Sequence, residues 1–273
     1  MRSLRFTLAL PLAVVLAGCP KNKTNGEPLT HAEAQSALEE AQATSATDSL
    51  VAANIELTTN FELGADLDTA AAGLGAAIVE LVPCASVTFS NDVLTVDWGA
   101  RSGNCSYRGH TFTGQSTISI EKNADDQVRV HHEWTRLSDG VVTLDGSADV
   151  TWDFAEKQRH VVHHAEWKYL PTGRTGTGDG DRIQTPLGGD LTQGITVNGT
   201  RSWTGKDGRW ELAIDDVAWR WADPVPEAGS YTLATPFGKD VTLAFSRQSD
   251  AAIGVKVSGT RGSFSFTVLT ATD

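Results

Sequence analysis

Two short runs of histidine and glutamate are the residues of this sequence best suited to bind a metal. His131 and Glu133 alternate along one predicted strand, and His164 and Glu166 alternate along another. Two imidazoles and two carboxylates that converged from neighbouring strands would be enough for Zn²⁺. The runs lack the spacing of a motif such as H-E-x-x-H, and the same residues can form polar cross-strand pairs on a solvated sheet face. The four residues are candidate ligands, and the sequence predicts no cofactor.

A second group of candidate ligands lies in a glycine-rich stretch, residues 171–194. Asp179, Asp181 and Asp190 could offer carboxylate oxygens to Ca²⁺, although the stretch has neither the EF-hand pattern nor a nonapeptide repeat. A plain acidic turn is the alternative. Because the stretch has many glycines and few apolar residues, it is predicted to be a long loop, and loops of that length are often functional. A hydrolase with its site near this loop is therefore one functional hypothesis.

The eight tryptophans suggest a different chemistry, the stacking of sugar rings. Most of them alternate in phase with valine, leucine or isoleucine, which favours core positions over an exposed platform. The sequence shows no nucleophile elbow, phosphate-binding loop, dinucleotide fingerprint or catalytic triad spacing. We therefore expect a protein that is not an enzyme.

Residues 1–18 have the layout of an export signal. Arg2 and Arg5 precede an apolar run that is too short for a comfortable transmembrane helix. The chain has a net charge of −12, and removal of these two arginines takes it to −14. Such a surface repels nucleic acid and anionic membranes, so nucleic acid is not an expected partner.

The signal ends in Leu16-Ala17-Gly18-Cys19, which resembles the bacterial lipobox. In lipoproteins with this motif the cysteine is acylated, palmitate being one of the chains, and becomes the new N-terminus. The resemblance implies lipidation of Cys19, and the alternative is an ordinary signal cleaved after Gly18. Pro20 stands where an aspartate would retain a lipoprotein at the inner membrane, so the expected location is the outer membrane. Residues 19–30 are polar and read as a tether.

Cys84 and Cys105 are the two remaining cysteines. In an exported protein an even pair is normally a disulfide, although two buried free thiols would also fit. The bond would enclose a predicted hairpin that turns at Asn91-Asp92. Closure of a loop of this length is worth about 3 kcal/mol.

Residues 31–83 are predicted to form a small helical segment that packs on a sheet. A capping box, Thr30-His31-Ala32-Glu33, begins a helix over about 31–43. Segment 49–63 is ambiguous, since its apolar residues alternate as in a strand. A stripe of apolar residues then predicts a second helix, which begins at Asp66 and ends before Pro83.

Residues 84–273 are predicted to be an antiparallel β domain. The clearest part is Val141–Leu170, where apolar and polar residues alternate along two strands joined by a polar turn. An apolar–polar–glycine–polar motif occurs four times at unequal spacing, which argues against a solenoid or propeller. Glycine inside a strand often marks a bulge or bend. The predicted fold class is mainly β, a large antiparallel sheet or meander, or a partly open barrel. The glycines of the four motifs are Gly114, Gly146, Gly199 and Gly259.

The order of these features is similar to that of uncharacterised β-rich bacterial lipoproteins. The residues that carry the resemblance are Gly103-Asn104-Cys105, Asp223-Pro224-Val225-Pro226 and the repeated glycine motif. It implies a lipid-anchored envelope protein, and it supplies no activity, ligand or catalytic residue. The first functional hypothesis is accordingly a non-catalytic structural or interaction protein of the envelope. The alternatives are a lipid- or glycan-binding module and the hydrolase.

Overall fold

The structure is a computed structural model of the chain. It describes residues 28–59, 67–122, 127–153, 155–189 and 193–270. The predicted signal, the lipobox with Cys19 and most of the tether lie outside the described residues, as do Asp66 and Asp190. Lipidation and export therefore stay predictions.

The described chain contains two helices and fifteen strands, which confirms a mainly β fold. The helices are α1, His31–Thr58, and α2, Leu67–Leu81. The strands are β1 Ser86–Ser90, β2 Val93–Trp98, β3 Ser106–Tyr107, β4 His110–Thr111, β5 Thr113–Lys122, β6 Val128–Ser138, β7 Val142–Asp153, β8 Gln158–Tyr169, β9 Arg174–Pro186, β10 Gly194–Gly205, β11 Gly208–Arg220, β12 Ala228–Ala234, β13 Asp240–Ser249, β14 Ala252–Gly259 and β15 Gly262–Leu269.

Thirteen of the strands form one large antiparallel sheet. They follow one another in chain order, except that β5 pairs with β2 and the short strands β3 and β4 pair only with each other. The sheet is open, because among the described strands β1 and β15 each have a single neighbour. The prediction of a large antiparallel meander is therefore confirmed, and the sheet does not close on itself.

The chain divides into two compact units. The first unit contains Glu40–Thr151 and His163–Thr177. The second unit contains the described residues before Glu40, together with Trp152–Val162 and the chain from Gly178 onward. Among the described residues, no helix has the length and apolar character needed to cross a membrane.

The start of α1 confirms the capping box. The Thr30 amide donates to Glu33 Oε2 at 2.6 Å, and the Glu33 amide donates to Thr30 Oγ1 at 3.3 Å. The helix continues to Thr58, so the strand-like alternation after residue 49 was misleading. Threonine hydroxyls along this part donate to carbonyls four residues earlier, Thr47 to Ala43 at 2.9 Å and Thr58 to Asn54 at 2.7 Å. These bonds let polar, β-branched residues be buried on a helix.

In the first unit, the buried face of α1 is polar as well as apolar. Asn54 is fully buried, and its Oδ1 accepts hydrogen bonds from Trp134 Nε1 at 2.8 Å and Ser116 Oγ at 3.3 Å. Glu40, only 1% exposed, forms an ion pair with Arg174 of β9. These three polar contacts fix how the helix lies on the sheet, in addition to the apolar contacts around them.

The hairpin of β7 and β8 agrees with the predicted alternation. Along β8, alternate residues are buried from Val161 to Trp167, and His163 is one of them. The strand after it, β9, corrects a prediction: Arg174–Pro186 is a strand and not part of a long loop. Its threonine, glycine and aspartate residues alternate with the period of two that is typical of a strand. The alternation was not recognised in the sequence because few of these residues are apolar. The loop on which the hydrolase hypothesis was based is therefore a strand over Arg174–Pro186, and the hydrolase itself stays a prediction.

The repeated glycine motif has a common structural cause at three of its four positions. Gly114 and Gly199 sit at bulges, where the register shifts, with φ of 94° and 141°. A Cβ on Gly114, Gly146 or Gly199 would overlap a backbone carbonyl of the neighbouring strand. Gly259 differs, because it ends β14 beside a tight turn and its nearest such atom is 3.7 Å away.

The predicted disulfide between Cys84 and Cys105 is present. It encloses the hairpin of β1 and β2, in which Ser90 pairs with Val93 and only Asn91 and Asp92 form the turn. Both turn residues have positive φ, 53° and 61°. That geometry matches the right-handed twist of the flanking strands, which is why an Asn-Asp pair suits this position.

Candidate functional site

The four candidate metal ligands do not come together. His131 and Glu133 lie on β6 and His164 and Glu166 on β8, and β7 lies between these strands. Two interstrand steps separate such residues by about 10 Å. Within the described ranges, no group of three or more histidine, cysteine, aspartate or glutamate residues could hold a metal ion.

His131 instead forms a polar cross-strand pair. Its Nδ1 lies 2.8 Å from Asp149 Oδ1, and the same carboxylate contacts Arg129 at 2.9 Å. His164 and Glu166 are exposed. The polar-pair interpretation therefore describes His131, and the four residues lie on two strands that are not neighbours in the sheet.

The aspartates of β9 do not form a calcium site in the described residues either. Asp181 Oδ1 lies 2.6 Å from His160 Nε2, so it belongs to a surface pair between β8 and β9. Asp179 lies on the same strand, where side chains two residues apart are held in a row and do not converge.

The tryptophans are mostly core residues. Trp98, Trp134, Trp167, Trp203 and Trp210 are at most 5% exposed. The most exposed of the eight is Trp221, at 41%. A sugar platform needs several accessible rings side by side, and this distribution does not supply one.

The second unit carries a group of titratable residues near the break in the sheet at Asp223-Pro224-Val225-Pro226. Arg247 pairs with Asp223 and, at 2.6 Å, with Glu227, and Arg220 contacts Glu227 at 2.7 Å. Burial would raise the pKa of Glu227, but hydrogen bonds from the two arginines hold it below its usual value. Two carboxylates are thus matched by two guanidinium groups, and the cluster stabilises the corner between β11 and β12.

The most unusual surface of the second unit is an apolar sheet face that stays partly exposed. Cross-strand partners run in rows over β12 to β15: Tyr231, Leu243, Val257 and Phe264 form one row. A second row contains Phe245, Val255 and Phe266. Directly opposite residues of an antiparallel sheet share a face, so both rows lie on the same side. We call these seven residues the apolar face.

Exposure increases along the apolar face toward the edge of the sheet. Val255 is buried, Tyr231, Leu243, Phe245 and Val257 are partly buried, and at β15 the exposed fractions reach 39% for Phe266 and 55% for Phe264. Contiguous exposed apolar surface of this kind is uncommon on a monomer and marks interaction sites.

Two arginines lie at the inner end of the apolar face. Arg201 of β10 is opposite Leu212, which is opposite Leu233, so Arg201 shares the side of the sheet on which Tyr231 lies. Its guanidinium lies 5.7 Å from the centre of the Trp203 ring. Arg182 of β9 is close enough for its charge to act on the Tyr231 hydroxyl. We call Arg182, Arg201 and Tyr231 the cationic end.

A bulge brings the residues of the cationic end together. Gly199, at the register shift between β10 and β11, lies against the backbone of Asp181 and Arg182. A second shift, between Asp215 and Ala218, occurs where β11 pairs with β12. Bulges bend a strand and re-aim its side chains, which lets residues of β9, β10 and β12 converge.

The electrostatics of the cationic end are set by burial. Burial lowers the pKa of Arg201 to about 10 and also lowers that of Arg182. Burial raises the pKa of Tyr231, against a hydrogen bond that Trp219 Nε1 donates to its hydroxyl at 3.2 Å and against the two arginines. A pKa of about 10 still leaves the Arg201 guanidinium cationic at neutral pH, so a carboxylate or phosphate in contact with it gains a charge-assisted hydrogen bond.

This arrangement suits an amphiphilic ligand. Guanidinium groups and a phenol are donors for a carboxylate or phosphate. From Tyr231 to Phe264, three interstrand steps provide roughly 14 Å of apolar surface. Sequence reasoning missed this site because the arginines belong to no motif. The apolar alternation of β12 to β15 was visible, but its position beside the arginines depends on the bulges.

No family model, curated protein or solved structure matches this chain.

Proposed function

We propose that the protein is a lipid-anchored, non-catalytic component of the outer membrane whose second unit binds an anionic amphiphile. The ligand class is an acyl chain that carries a carboxylate or phosphate group. Free fatty acids and phospholipids share this chemistry. The observation that carries the proposal is the pair of arginines beside a partly exposed apolar sheet face.

The two parts of the site have separate roles in this proposal. The cationic end orients the ligand, because a carboxylate or phosphate gains charge-assisted hydrogen bonds there. The apolar face supplies affinity, because each methylene removed from water contributes about 0.8 kcal/mol. A glycan would not use the buried tryptophans.

Native mass spectrometry tests the binding proposal. Residues 20–273 are incubated with dodecanoate, dodecyl phosphate or dodecyltrimethylammonium, each below its micelle concentration. We expect one bound dodecanoate or dodecyl phosphate per chain, and at least tenfold weaker binding of the cationic compound. Equal binding of all three compounds would mean that they adsorb non-specifically to apolar surface, which would contradict the proposal. The proposal would also be overturned if neither anion bound.

Arginine variants assign the site. Arg201→Met should weaken dodecanoate binding by about ten- to a hundredfold, since a hydrogen bond to a charged group contributes roughly 1.5–3 kcal/mol. Arg129→Met is the matched control: this arginine is exposed on β6, in the first unit, and should not affect binding. An equal effect of both variants would show that only net charge matters.

The anchor is tested independently of the ligand. Cells that express the full chain should incorporate labelled palmitate into it, and Cys19→Ala should abolish the labelling. Labelling that survives Cys19→Ala, or no labelling of the parent chain, would contradict lipidation at Cys19. The binding proposal for the second unit does not depend on this result.

A further inference from the structure

The last strand of the sheet, β15, is an edge without the usual protection against pairing. Gly262–Leu269 has the sequence GSFSFTVL, with no charged residue and no proline. Its register with β14 is continuous from Gly259↔Gly262 to Ala252↔Leu269, without a bulge. Natural edge strands are normally blunted by charge, proline or bulges, because their free amides and carbonyls can pair with another strand.

The opposite edge shows what protection looks like in the same molecule. Strand β1 is also uncharged, but it has five residues against eight in β15. Helix α2 packs against Val87, since a Cβ added to Gly75 would lie 3.2 Å from a Val87 methyl group. Short edges pair poorly.

None of the residues that the structure describes covers β15. Its residues from Gly262 to Thr267 are all exposed, and Leu269 is 76% exposed. Phe264 and Phe266 contact each other, with ring centroids 6.2 Å apart. The edge therefore presents both hydrogen-bonding backbone and an apolar side.

We propose that β15 pairs with β15 of a second copy of this chain, antiparallel and around a twofold axis at Ser265. In this register Phe264 of each copy is opposite Phe266 of the other, and Ser263 is opposite Thr267. Both phenylalanine pairs fall on the same side, so each apolar face continues into the other. A second copy fits because the strand is complementary to itself in length, charge and side-chain pattern. Such self-complementarity defines a twofold, isologous interface.

Cysteine cross-linking tests this register on the full chain in the membranes of the expressing cells. At a twofold axis, opposite Cα atoms lie about 4.5–5.5 Å apart, which is within the range of disulfides. Ser265→Cys should therefore give a disulfide-linked dimer on a non-reducing gel. The parent chain, whose Cys84 and Cys105 are already bonded, should stay monomeric.

Two matched controls separate pairing from random collision. Ser263→Cys is exposed on the same side of the same strand, but its equivalents in the proposed pair lie about 13 Å apart, four residues along the strand. We expect no dimer from it alone, and a dimer when it is mixed with Thr267→Cys. Thr88→Cys, on the exposed β1 edge, should also stay monomeric.

Charge reversal provides a test without cysteines. Ser265→Lys should abolish the dimer seen by light scattering of the detergent-solubilised protein, because two ammonium groups meet at the axis, and Ser265→Glu should do the same. A mixture of the two variants should dimerise again. Cross-linking of Ser263→Cys as efficient as that of Ser265→Cys, or a parent chain that is monomeric by light scattering, would overturn the proposal. Dodecanoate binding is measured separately, so its failure would not be confused with loss of pairing.

Discussion

The two units differ in what lies beside the polar groups of a sheet face. In the first unit α1 brings its own polar side chains, and Glu40 and Asn54 meet Arg174, Trp134 and Ser116. In the second unit the cationic end lies beside apolar rows that remain partly exposed.

The contrast indicates what each face is for. A sheet face whose polar groups are matched by a helix of the same chain is already complete, and the matched pairs specify the helix position more than they add stability. The second unit instead combines two arginines with exposed phenylalanines on one side of the sheet. This combination of positive charge and apolar surface supports the proposal that the second unit binds the ligand.

The largest expected effect concerns the ion pair of the first unit. Arg174→Met should lower the free energy of unfolding by about 3–5 kcal/mol, because it leaves Glu40 buried without its cation. Urea unfolding of the variant measures the change. The double variant Glu40→Leu with Arg174→Met should recover most of the loss, since it removes both charges.

The equivalent substitution in the second unit should behave differently. Arg201→Met should leave the free energy of unfolding unchanged or raise it, because burial lowers the pKa of Arg201 and the fold disfavours its charge. If Arg201→Met destabilised as much as Arg174→Met, both arginines would be structural and the contrast between the units would fail.

The next prediction concerns the effect of Gly199, in the second unit, on the free energy of unfolding. Gly199→Ala should cost at least about 2–3 kcal/mol, because its φ of 141° is unfavourable for alanine and the methyl would meet the Asp181 carbonyl. It should also weaken dodecanoate binding, since this bulge positions Arg182. Gly259→Ala, which has no such contact, is the control and should change unfolding by less than about 1 kcal/mol.

A fall in pH should destabilise the first unit because His132 is buried there. This residue is fully buried, and burial lowers its pKa to about 4 from an ordinary 6.5. The unfolded chain binds a proton that the folded chain rejects, so the contribution is complete above pH 6.5 and is lost as the pH falls toward 4. The loss should approach about 3 kcal/mol in urea titrations across this range. His132→Leu should remove this component, and an unchanged pH slope would contradict the assignment.

The sequence supported predictions where one local rule decides the structure. Alternation located the β7–β8 hairpin, the Thr30–Glu33 box located the start of α1, and an even cysteine pair gave the disulfide. The predictions failed where the buried residues are polar or small. The second half of the long helix α1 was missed because its buried face includes Thr44, Thr47 and Asn54, and β9 was missed because its residues are mostly small or polar.

The candidate site was beyond sequence reasoning for a related reason. Arg182, Arg201 and Tyr231 lie on β9, β10 and β12, and their approach depends on two register shifts. The glycine motif pointed to a bulge at Gly199, which could have suggested that strands change direction there. Nothing local identifies which side chains the bulge brings together.

The smallest expected effect is at His131, next to His132 on β6. His131 lies on the outer side of the strand and pairs with Asp149, and its side chain is 39% exposed. Exposed pairs of this kind contribute little, so His131→Gln should change the free energy of unfolding by less than about 0.5 kcal/mol. Addition of Zn²⁺ should not raise the melting temperature of the parent chain or of this variant. A zinc-dependent rise that His131→Gln abolishes would restore the metal hypothesis. A large loss without zinc would mean that the outer side of the first unit contributes as much to stability as the side that faces α1.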